Sequence, residues 1–107
     1  MYASYAQVRF DSGKKSAAIQ LLNDELIPQI KQAPGFVKGI WVGNDELGNG
    51  VVVFETREQA IRATEALQPV AGVYEVVTSD VYEVHGRSLT CSALGAREHL
   101  AGRSVMA

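Results

Sequence analysis

The chain has 107 residues, 47% of them apolar, with a formal net charge of −2 and a pI near 5.6. That length suits one domain with a modest core, and that composition excludes a disordered chain. It also lacks the basic footprint of a nucleic-acid-binding domain, and no apolar run approaches the length of a membrane span.

The opening stretch Tyr5-Ala6-Gln7-Val8-Arg9-Phe10 alternates, with Ala6, Val8 and Phe10 on one face and Tyr5, Gln7 and Arg9 on the other, as a strand does. Asp11-Ser12-Gly13 breaks it. From about Ser16 to Lys31 the period changes. Ile19, Leu22, Leu26 and Ile30 recur at steps of three and four, which predicts one helical stripe. Pro28 lies inside that pattern and predicts a kink or restart of the helix, because it lacks a backbone donor. Pro34-Gly35 ends the helix.

Phe36 to Val42 reads as a second strand. The spacing predicts a hairpin loop over Gly43-Asn44-Asp45-Glu46-Leu47-Gly48-Asn49-Gly50, with Asn and Gly supplying positive φ. Val51-Val52-Val53-Phe54 is apolar at successive positions, the pattern of a strand covered on both faces. One layer of helices covers one face of an antiparallel sheet, so a partner subunit is expected on the other. Thr56-Arg57-Glu58-Gln59 fits a capping box opening a helix to about Leu67, with Ala60, Ala63, Thr64 and Leu67 inward. Tyr74 to Val84 is the last strand, rich in Val and Tyr.

The order β-α-β-β-α-β predicts a ferredoxin-like α+β domain over residues 1–86: a four-stranded antiparallel sheet with two helices on one face. Residues 87–107 are expected to form a tail, either a short helix after Ser92 or a mobile segment. The N-terminus Met1-Tyr2-Ala3-Ser4-Tyr5 has no basic region and no apolar signal core, and the single cysteine, Cys91, cannot form an internal disulfide. A reduced, cytoplasmic protein is therefore expected.

Five features carry a resemblance: Tyr5-Ala6-Gln7-Val8, Leu26-Ile27-Pro28, Pro34-Gly35-Phe36, Val53-Phe54-Glu55-Thr56 with Ala60, and Tyr82-Glu83-Val84. In this order and spacing the chain resembles the dimeric α+β barrel superfamily, in particular the antibiotic-biosynthesis-monooxygenase-like domains. The resemblance implies a homodimer joined through the open face of the sheet and a pocket between sheet and helices in each subunit. It further implies cofactor-free oxygenation, haem degradation, or small isomerase and lyase reactions. The candidate pocket residues are Leu22, Leu26, Phe36, Trp41 and Phe54. Phe54 falls where oxygenase members carry a pocket-lining Trp, without the indole donor, and the reading of it as ordinary core is favoured. Trp41, the only Trp, lines the pocket or fills the dimer core; alternation along its strand leaves both open.

The haem-degrading reading requires an axial His on or near the second helix and an Asn on the first strand. The chain has no His there, and Ala6 and Gln7 on the strand, so no haem is expected. His85 and His99 have no metal-ligand spacing with Cys91 or with any acidic cluster, so no metal or other cofactor is expected. Arg9 suits an acidic ligand or an interface ion pair, Glu55 a base if buried, and Tyr74 and Tyr82 either donors to substrate or packed side chains. Cys91 would need a lowered pKa to react.

RNA-recognition modules share this element order. Leu47 to Phe54 matches their third-strand motif at Gly48, Gly50, Val52 and Phe54, but Asn49 and Val51 replace the stacking aromatics and Leu47 the basic residue. No nucleic-acid or membrane partner is expected. Two readings remain: a cofactor-free monooxygenase-like enzyme acting on a small aromatic or apolar molecule, or a non-catalytic dimeric module that binds a small ligand or serves a structural or regulatory role. No catalytic residue is assigned, because no pair of polar groups with nameable roles converges.

Overall fold

The computed structural model describes residues 1–86 and Ser88. Its elements are β1 (Tyr2–Phe10), α1 (Lys15–Leu21), a π-helical turn (Leu22–Leu26), α2 (Ile27–Lys31), β2 (Phe36–Gly43), β3 (Leu47–Phe54), α3 (Arg57–Ala66) and β4 (Tyr74–Glu83). The strands form one antiparallel sheet in the order β2-β3-β1-β4, a ferredoxin-like α+β arrangement. No helix among the described residues is long and apolar enough to cross a membrane. The expected tail, with Cys91 and His99, lies outside the described residues apart from Ser88.

β3 explains the layering. Val52 and Phe54 turn toward the helices and pack with Ala60 of α3, while Val51 and Val53 turn to the opposite face. Phe54 is 1% exposed and meets the ring of Phe36 edge-on at 6.4 Å. Ser4 is the one buried polar side chain among the described residues, and it shares a 2.6 Å hydrogen bond with the Thr64 hydroxyl, tying β1 to α3. A buried hydroxyl without that partner would destabilise the core.

α1, the π-helical turn and α2 run on from one another with right-handed helical dihedrals at the junctions. The interruption expected at Pro28 falls one turn earlier. In a regular helix the proline ring clashes with the carbonyl four residues back. The wider turn over Leu22–Leu26, closed by the Ile27 N–H donating to the Leu22 carbonyl five residues back, precedes it.

The eight-residue hairpin loop predicted over Gly43 to Gly50 is corrected to three residues, Asn44, Asp45 and Glu46. The Asn44 side-chain oxygen accepts from the backbone N–H groups of Glu46 and Leu47, both at 2.9 Å, so a side chain closes the turn. Positive φ is used at neither Asn44 nor Gly48 nor Gly50; among the described residues it occurs only at Gly13, Gly35 and Gly72. Gly48 and Gly50 are paired strand residues opposite Val8 and Ala6. Both edge strands carry a bulge, at Val37 in β2 and Val77 in β4, and bulges of this kind twist an edge away from further pairing.

The capping box is present. The Thr56 hydroxyl accepts from the Gln59 N–H at 3.2 Å, and the Gln59 side chain accepts from the Thr56 N–H at 3.1 Å. Gly35 is bound to this cap. Its φ is +80°, and the space its Cβ would take is filled by the Gln59 amide. Gly35→Ala therefore meets backbone strain and displaces the cap together, and is expected to destabilise the fold by about 1–3 kcal/mol. Urea unfolding measures this, and a loss below about 0.5 kcal/mol, the scale of an ordinary surface substitution, would contradict the account.

Candidate functional site

A half-open cavity of about 480 Å³ lies between the sheet and the first helical rod. It exists because the sheet residues beneath the rod are small. Ala6, Gly48 and Gly50 form the floor, Ala18, Leu22 and Leu26 the roof. Ala18 is the only buried residue of α1, the π-helical turn and α2, so the rod stands off the sheet over most of its length.

Trp41 closes one end. A Cβ added to its cross-strand neighbour Gly50 would lie 2.7 Å from the indole Cδ1, and one added to Gly39 would lie 2.7 Å from Cη2. The indole therefore lies over two glycines on the helix side of the sheet, which settles its face. A second cavity of about 80 Å³, lined by Ser4, Ile30, Phe54 and Ala63, touches the same Trp41 and Gly50. The indole stands between the two spaces.

Of the five residues proposed from sequence, Leu22, Leu26 and Trp41 line the large cavity. Phe54 lines the small one with Trp41, and Phe36 packs on Phe54 and lines neither. The residues that sequence reasoning missed are Ala6, Gly48 and Gly50. The signal was present: small residues on the helix-facing side of two adjacent strands leave room rather than fill it. It was hidden once Gly48 and Gly50 were assigned to a loop.

The polar groups around the large cavity are mostly spent. The Asn23 amide donates to the Ile19 carbonyl at 2.9 Å, and Asn44 closes the β2–β3 turn. The Tyr74 hydroxyl donates to the Gln68 carbonyl at 3.0 Å. Lys15, at the rim, pairs with the exposed Asp45 at 3.0 Å. The Trp41 Nε1–H, on the helix side of the sheet, is a donor without a partner among the described residues. No group of three or more His, Cys, Asp or Glu side chains converges among the described residues. Arg9 makes an exposed cross-strand pair with Glu75 at 3.2 Å, Glu55 is exposed, and His85 lies 3.4 Å from Glu83 on the surface. The arrangement can bind and desolvate a flat apolar molecule and offer it one directed hydrogen bond.

The opposite face of the sheet carries Tyr5, Ile40, Val42, Val51 and Tyr82, with Ile40 61% and Val42 57% exposed. Tyr5 and Tyr82 meet edge to face at 6.2 Å.

No family model matches the chain, and a comparison with curated proteins finds no match. Among solved structures it is similar to HapK from Hahella chejuensis, with a TM-score of 0.61 and 17% identity, over 84% of this chain and 98% of that one. At that identity the likeness is one of fold: a small α+β protein of the same arrangement.

Burial holds the Tyr74 phenol above its ordinary value of 10.0. In the pH window between that value and the raised one, the folded chain keeps a proton that the unfolded chain loses, so stability falls as pH rises through it. Absorbance at 295 nm should show a phenol ionising above 10.0, and Tyr74→Phe should remove that phase. Loss of a different phase would assign the late phenol elsewhere.

Proposed function

We propose that the chain works as a homodimer joined through the open face of the sheet, each subunit holding a small, mainly apolar or aromatic molecule in its cavity. The observation that carries the ligand reading is the combination of an apolar space of about 480 Å³ with the unspent indole N–H of Trp41. That volume lies in the range of small-molecule sites, which are mostly apolar with a few aimed polar groups. The dimer reading is supported by the apolar side chains left on a sheet face that the helices do not cover. The domain boundary near residue 86 and a separate tail belong to the same reading.

The binding module is favoured over an enzyme with acid–base chemistry, since no described carboxylate or imidazole lines the cavity. The monooxygenase-like resemblance keeps a second reading: a substrate that itself supplies electrons to dioxygen, in a pocket that orients and desolvates it.

Trp41 is the only tryptophan and lines the site, so it reports occupancy directly. Titration with naphthol-sized aromatic probes should quench its emission saturably, and Gly50→Val, which forces the indole off its seat, should weaken binding at least tenfold. Linear, unsaturable quenching across a panel of such probes would refute the ligand reading. Oxygen uptake on addition of an electron-rich bound phenol would select the oxygenase over the module. For assembly, light scattering at micromolar concentration should give twice the chain mass, and Ile40→Asp should shift it to one. A wild-type monomer there would sink the dimer.

A further inference from the structure

The open face is not uniformly apolar. On its two central strands lies a polar cluster: the Tyr5 hydroxyl donates to Asn49 Oδ1 at 2.8 Å, and Gln7 Nε2 donates to the same oxygen at 3.0 Å. All three side chains are half-buried within the single chain. The cluster leaves a remainder. Asn49 Nδ2 has no acceptor and Gln7 Oε1 has no donor among the described residues. In the middle of an apolar contact, an unused donor and acceptor are costly unless something meets them.

We infer that Asn49 and Gln7 set the register of the homodimer, each amide hydrogen-bonding the other's counterpart across the interface; this rests on the dimer proposed above. The strand order makes the match. β3 and β1 are the two central strands, and Asn49 and Gln7 are directly opposite one another on them. A two-fold axis running along the strands between β3 and β1 turns each subunit's β3 over its partner's β1. It lays Asn49 over the partner's Gln7, and Gln7 over Asn49 of the partner subunit, so the unused donor of one chain meets the unused acceptor of the other, twice. This is the reciprocity an isologous contact requires. Packed sheets stand about 10 Å apart, a gap that an Asn and a Gln reaching toward each other span.

The same axis lays Val51 over the partner's Tyr5 and Val53 over the partner's Ala3, apolar against apolar. Of the charged side chains on this face, Lys38 and Asp80 sit on the edge strands β2 and β4, and Arg9, at the end of β1 beyond Gln7, is already paired within the chain with Glu75 on β4. An axis across the strands through the row of Asn49 would instead set Asn49 against Asn49 of the partner subunit, donor against donor. The occupant is therefore a second copy of this chain, for which the face is self-complementary.

The test keeps the contacts within one chain and changes only those between chains. Asn49→Asp still accepts from Tyr5 and Gln7, and Gln7→Lys still donates to Asn49, so both variants should give wild-type far-ultraviolet circular dichroism. Mixed in equal amounts, the two chains place the new carboxylate against the new ammonium only in the heterodimer. Native mass spectrometry should show a ratio of heterodimer to total homodimer at least fivefold above the even ratio that random pairing gives. Thr78→Lys in place of Gln7→Lys puts the ammonium in the same lateral row, over the partner's Val42, and should give a clearly smaller preference. A heterodimer preference no greater than with Thr78→Lys, in a wild-type chain that is a dimer, would overturn the register and leave the dimer standing. A wild-type monomer would overturn both.

Discussion

A strand with apolar side chains on both faces cannot be satisfied by one layer of helices. β3 imposes this constraint, with Val52 and Phe54 buried against Ala60 on one side and Val51 and Val53 on the other. The helix side is closed by small, well-anchored contacts: Ala60 without exposure, Ser4 bonded to Thr64, and the capping box that sets where α3 begins. The other side is left with Ile40, Val42, Val51 and Tyr82 in water. Removing such area from water stabilises by roughly 25 cal/mol per Å², which is the drive behind the proposed pairing.

The cavity follows from a second constraint, that of volume. Protein interiors are close-packed, so a persistent space needs residues too small to fill it. Ala6, Gly48 and Gly50 are those residues, and the first helical rod does not descend to them. Gly50, with Gly39 on β2, also lets the indole of Trp41 lie flat on the sheet. A side chain at Gly50 would push the indole away, so one glycine serves both the floor of the site and the seat of its indole donor.

The fold was legible because periodicity and caps are local. The step of two in β1, the step of three and four in the first rod, and the Thr56–Gln59 box each depend on neighbours within a few residues. The shared face of Ala6, Val8 and Phe10 also followed from alternation. The glycines of β3 were misread for a physical reason. Gly in isolation is the residue of turns, and what keeps Gly48 and Gly50 in a strand is the packing of Phe10 and Trp41 across them, from elsewhere in the chain. The candidate pocket list had the same limit: Leu22, Leu26 and Trp41 share one cavity, while Phe54 and Phe36 belong to the core beside it.

The sequence by itself determined the order of elements, the capped start of α3, the end of the first helical rod at Pro34-Gly35, and the excess of apolar surface on β3, because each is written in short-range chemistry. Only the tertiary structure decided which face Trp41 takes, that the rod stands off the sheet, and that Tyr5, Gln7 and Asn49 meet. Tyr5 and Gln7 are more than 40 residues from Asn49, and antiparallel pairing in one particular register is what brings their side chains within hydrogen-bonding distance.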